Sequence, residues 1–255
     1  LKSSDSASWL KTSPTRSALG VAGQSQRSEQ QIWHFLLPDS NMASYSDKVV
    51  KGVYSDDIKA LNDWRKNFCK PFNNSDTKRL QTLSAKIDEL WAEHTRALAR
   101  LRQRTTDPYD IFGYHQNGEK TSLTFQDTAL SGELESAKVQ NASAYRRLKL
   151  AMDYWCALWF WPIDGAEDLP SREEYLFDLE NLLLGDTLRS APAGENGDLF
   201  APTQPEADGK AFVNKFGVVN LNVLFQHFPR LKQAQDIANQ QKFFHWELVY
   251  ADIFA

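Results

Sequence analysis

Residues 142–161 constrain the fold of this chain more than any other stretch. Ala151, Met152, Tyr154, Trp155, Ala157, Leu158, Trp159, Phe160 and Trp161 leave no polar side to the C-terminal half of a helix drawn there. A helix that is apolar all round must sit in the centre of a core, surrounded by other elements. A base-stacking platform is the other use for such a Trp-rich cluster, and the all-round apolarity argues for core instead. In a chain of 255 residues with 42% hydrophobic content, 8 Trp and 15 Phe, there is enough apolar surface to build those surroundings.

The partners follow from helical periodicity. Leu80, Leu83, Ile87, Leu90, Leu98 and Leu101 recur three and four apart, with His94 filling the gap, and predict a long helix from a Ser75-Asp76 cap to about residue 104. Ser55-Asp56-Asp57 starts a shorter helix over 58–68, ended ahead of Pro71. Pro170-Ser171-Arg172-Glu173-Glu174 starts another, to about residue 184, with the two glutamates as first-turn acids and not a catalytic pair. Residues 218–228 and 230–240 read as two short helices.

Strands are expected only near the ends. Gln31-Ile32-Trp33-His34-Phe35-Leu36-Leu37 is a short apolar run closed by Pro38-Asp39. Phe244, Trp246, Leu248 and Tyr250 alternate as in a half-buried strand, with His245 at an outward position. The expected organisation is an irregular N-terminal segment with a short strand (1–53), a helical core (54–184), a flexible loop (185–211), and short helices with a terminal strand (212–255). The fold class is mainly α, bundle-like, with a few short strands near the two ends.

Composition narrows the function classes. A net charge of −4 and a pI near 5.8 give no global nucleic-acid footprint, so any DNA contact needs a local basic patch. Arg96, Arg100 and Arg104 supply one candidate, four apart on one helix face, with Arg102 beside them. Phosphate contact is one use for them, and favourable interaction with the helix C-terminus is the other. Lys48, Lys51, Arg65 and Lys66 form a weaker cluster that reads as solvated surface. His34, His94, His115, His227 and His245 lack metal-ligand spacing. Gly20-Val21-Ala22-Gly23 has no strand before it and no helix after it, so it is not a cofactor loop. No serine or cysteine has a nucleophile context. Cys69 and Cys156 fit a reducing cytosol, with Cys156 as a buried small hydrophobe. Residues 148–163 come nearest to a membrane span, but Lys149 and Asp153 interrupt them.

Three blocks carry a resemblance. Phe244-His245-Trp246-Glu247-Leu248-Val249-Tyr250-Ala251-Asp252-Ile253-Phe254 resembles a Phe-His-Trp-x-Leu-x-Phe-x-x-Val/Ile-Phe signature of large adenine-specific DNA methyltransferases. Ile32 to Asp39, continuing through Met42 to Val50, and Leu150 to Pro162 look like blocks of the same enzymes. The blocks resemble methylases of DISARM-like phage defence, and more distantly BREX methylases and type IIG restriction–modification enzymes. The resemblance implies a segment between the S-adenosylmethionine motif and the Asn-Pro-Pro-aromatic motif of an α/β methyltransferase. On it, the chain is expected to be a piece cut just ahead of the catalytic motif. It carries over no catalytic residue, no cofactor-binding residue and no metal ligand. It implies S-adenosylmethionine for the parent enzyme only, double-stranded DNA as the parent's substrate, defence-system subunits as further partners, no membrane and a cytoplasmic location. From a different class comes the alternative: a stand-alone helical protein-interaction module without enzymatic activity.

Overall fold

The computed structural model describes residues 26–106, 122–128, 144–184 and 221–254. Eight helices frame it: α1 (Lys48–Val53), α2 (Ser55–Phe68), α3 (Asn74–Thr105), α4 (Ala144–Ala157), α5 (Arg172–Leu183), α6 (Leu221–His227), α7 (Pro229–Gln241) and α8 (Trp246–Val249). Single 3-10 turns lie at His34–Leu36 and Ile163–Asp168, and residues 123–128 form a further helical stretch. The fold is mainly helical, and no strand occurs among the described residues.

α4 is the central element. It packs on α3, α5, α7, the 34–36 turn and α8. Leu148, Ala151, Tyr154, Ala157 and Leu158 are fully buried. The helix stops at Ala157, where Trp159 N–H and Phe160 N–H donate to the carbonyls of Cys156 and Ala157 in tight turns. The aromatic run therefore leaves the helix before it ends. Trp161, beyond it, is the fully buried tryptophan, while Trp155 and Trp159 are only partly covered. The expectation of a continuous helix to residue 161 is corrected on this point.

α3 forms the long wall beneath α4, with Leu80, Leu83, Ile87, Leu90 and Trp91 facing inward. Its cap is Asn73, two residues ahead of the expected position. The Asn73 side chain accepts from Asp76 N–H (2.8 Å) and Asp76 accepts in return from Asn73 N–H, a reciprocal capping box. Ser171 and Glu174 do the same for α5. The other end of α5 is closed by buried Arg147 of α4, which donates to the carbonyls of Leu182 (3.0 Å) and Leu183. Those carbonyls have no intrahelical donor, so a guanidinium there satisfies two orphan acceptors.

Both expected strands are absent from the described residues, each for its own physical reason. The carbonyls of Phe35 and Leu37, which a sheet neighbour would have used, accept instead from Tyr175 Oη (2.9 Å) and Trp155 Nε1 (2.8 Å). Residues 34–36 close into a 3-10 turn held by side chains of α4 and α5. Around the C-terminal segment, Leu248 and Ala251 are fully buried while Phe244, Trp246 and Tyr250 are exposed. That spacing of three is a helical turn, not a period-2 strand. The expected loop at 185–211 lies outside the described residues, as do Gly20 to Gly23, His115 and residues 218–220.

Candidate functional site

Two segments distant in sequence, residues 33–45 and the tail from 243 to 254, pack against residues 149–161 of α4 and the turn that follows it. Tyr45 Oη donates to the Trp161 carbonyl (2.7 Å), and Trp155 Nε1 to that of Leu37. His34 stands edge-on to Trp155 with ring centres 5.4 Å apart, and Phe160 lies 5.4 Å from Phe243. Burial lowers the His34 pKa, and the charge of Glu247 in the tail works against that shift.

Polar ties fix the tail into this junction. Buried Asp153 of α4 accepts from Lys149 Nζ at 2.6 Å and pairs with His245 Nε2 at 2.8 Å. His94 Nε2 donates to the Leu248 carbonyl at 2.8 Å, and Arg102 makes a two-point ion pair with Asp252. His245 was expected at an outward strand position. It is instead nine-tenths covered and turned toward α4, because the chain reverses at Lys242, whose left-handed φ of 58° ends α7. Lys242 N–H and Phe243 N–H both donate to Ala238 O, closing that helix end.

Sequence reading missed Asp153, Lys149, Arg102 and Asp252 as a set. Asp153 had registered only as an interruption of an apolar run. A charge inside a core helix is itself the signal, since a buried carboxylate requires partners.

The chemistry of these groups is that of a tether. Asp153 orients an imidazole, but Lys149 shares the same carboxylate, and neighbouring Cys156 has its thiol pKa pushed up to about 11 by burial, with Asp153 adding to the shift. A protonated thiol is a poor nucleophile. Among the described residues no group of three or more His, Cys, Asp or Glu is placed to hold a metal ion. No described helix is long and apolar enough to cross a membrane.

With its inward residues tied, the tail presents the rest to solvent. Trp246 is 61% exposed, Ile253 58% and Phe244 51%. Phe244 meets Trp246 edge-on at 4.8 Å, and Trp246 stacks on Tyr250 at 5.7 Å. Phe244, Trp246 and Tyr250 thus form a contiguous exposed aromatic row.

Arg96, Arg100 and Arg104 lie apart from the junction, exposed on the C-terminal part of α3. The second basic cluster disperses: Arg65 donates to the carbonyls of Met42 (3.0 Å) and Ala43 (3.2 Å), and Lys66 pairs with Asp63. No protein-family model matches this chain, and no curated protein or solved structure matches it.

Proposed function

We propose that this chain is a helical segment of a site-specific, S-adenosylmethionine-dependent DNA adenine methyltransferase of a bacterial restriction or phage-defence system. In this reading it is cytoplasmic, is not catalytic itself, and braces the catalytic domain or contacts DNA. One observation supports it above the others. The three blocks that resemble those enzymes, separated by about a hundred residues each, converge in a single junction through Leu37–Trp155, Tyr45–Trp161, Asp153–His245 and Phe160–Phe243. A shared three-part pattern has a physical reason to persist when its parts touch.

Adenine methylation requires a flipped base held in a pocket that reads its edge. No step of methyl transfer is assigned to the described residues, and the reading gives S-adenosylmethionine to the parent enzyme only. The bundle is then a helical insert in an α/β enzyme. The outward row Phe244, Trp246 and Tyr250 is the face such a catalytic domain would cover.

The outward row also favours the second reading, a stand-alone interaction module whose aromatic face binds another protein. The reading frame around the chain separates the two. The methyltransferase reading expects an Asn-Pro-Pro-aromatic run within a few tens of residues downstream, and transfer of label from tritiated S-adenosylmethionine to adenine in duplex DNA by the product of the whole frame. A frame without that run, or a product that leaves adenine unlabelled, overturns it. Titration calorimetry on the 255-residue chain alone should show no heat with S-adenosylmethionine, and micromolar binding would contradict the assignment of the cofactor to other segments.

A further inference from the structure

We infer that the outer face of α3 binds the phosphate backbone of duplex DNA through Arg96, Arg100 and Arg104. The inference rests on the arrangement of α3 and stands whether or not the chain comes from a methyltransferase. In an α-helix, residues four apart rise about 6 Å, so the three guanidinium groups form a row about 12 Å long. The row lies on the side turned away from Ile87, Trp91 and His94, which face the core.

What separates these arginines from the others is that their terminal guanidinium nitrogens make no bond among the described residues. Arg27 pairs with Asp88, Arg79 with Glu173 and Glu180, Arg102 with Asp252, and Arg230 with Glu174 and Asp178. Arg65, Arg147 and Arg172 donate to backbone carbonyls. Arg96 uses only its Nε, on the Ala92 carbonyl, and Arg100 and Arg104 make no hydrogen bond or ion pair among the described residues. Glu93, a turn ahead of Arg96, makes no ion pair with it. Arginine forks that remain open can take phosphate oxygens two at a time, which lysines cannot do. A line of cations at repeated spacing complements a line of anions better than a single anion. A guanidinium row on a rigid helix matches the regular spacing of a duplex backbone, and the vesicle arm of the test below separates this from an anionic membrane.

The test is fluorescence anisotropy of the intact chain with a labelled duplex of mixed sequence. Three phosphate contacts at a slope of about −0.9 each give about −2.7 for log affinity against log salt, roughly a forty-fold loss for a four-fold rise in potassium chloride. Replacing the three together (R96Q, R100Q and R104Q) should abolish binding at low salt, and each single variant should flatten the slope by about one unit. A control that removes three exposed lysines elsewhere (K48Q, K59Q and K78Q) changes net charge equally and should leave the slope unchanged. No binding at low salt, equal loss in the lysine control, or binding to phosphatidylserine vesicles without binding to duplex would each overturn the inference.

Discussion

His94 Nε2 donates to the carbonyl of Leu248 at 2.8 Å, joining the middle of the longest helix to a residue 154 positions later. Both partners are buried. His94→Ala removes the donor and leaves a buried carbonyl unsatisfied beside a new cavity, so it should cost about 2–4 kcal/mol. Urea unfolding gives the stability, and limited proteolysis after Tyr250 reports tail release. A loss confined to a few tenths of a kcal/mol, with the tail still protected, would mean that the tail is held without this bond.

Stability should also depend on pH through the same residue. Burial is the main cause that holds the His94 imidazole below its usual 6.5, outweighing the Leu248 bond and the charges of Asp252 and Glu93. In the window below 6.5 the unfolded chain takes up a proton that the folded chain does not, so stability is full above 6.5 and is lost as pH falls toward the folded value. A second window lies lower. The Arg102 hydrogen bond holds Asp252 below its usual 3.8, so that contribution is present above 3.8 and lost beneath it. Melting temperature across pH 8 to 3 should fall in two stages, and His94→Gln should shrink the first, leaving the part that His34 contributes, since burial lowers its pKa likewise. A curve that rises on acidification contradicts the assignment.

The tryptophans should rank by burial and not by helix membership. Trp161 is fully buried, donates from Nε1 to the Gly165 carbonyl at 3.0 Å and accepts on its own carbonyl from Tyr45. Trp161→Ala should cost about 3–5 kcal/mol, whereas Trp159→Ala should cost roughly half as much, since Trp159 is partly exposed and its buried indole N–H has no partner among the described residues. Chemical denaturation of the two variants decides, and a larger loss for Trp159 would sink the ranking.

Both cysteines should be slow toward thiol reagents. Burial pushes the pKa of each thiol up to about 11, helped at Cys69 by Asp39, so little thiolate exists near neutral pH. A colorimetric disulfide reagent at pH 8 should label neither at an appreciable rate until denaturant is added. Rapid labelling of the folded chain would show that one of the thiols is open to solvent.

Local signals made most helices legible. Capping pairs such as Ser171 and Glu174, and the inward stripe from Leu80 to Leu90, act within one or two turns. The tail was misread because its aromatic residues face outward, so the alternation of Phe244, Trp246, Leu248 and Tyr250 did not report burial. Its true signal, Leu248 with Ala251, is three residues of spacing and easily overlooked. The 31–37 run was misread because the donors to its carbonyls, Trp155 and Tyr175, are more than a hundred residues away. Of the junction, the aromatic content was visible in sequence and the Asp153–His245 tie was not, since 92 residues separate its partners.

These long separations bear on the order of assembly. His94–Leu248 spans 154 residues, Arg102–Asp252 spans 150 and Asp153–His245 spans 92. Contacts so distant close late, because loop-closure entropy opposes them until the intervening elements are in place. During synthesis α3 and α4 emerge well before residues 245–252, so Asp153 and the His94 imidazole wait in an open cleft for the tail. A ribosome paused short of residue 245 would therefore carry a bundle in which Asp153 has Lys149 as partner and not yet His245.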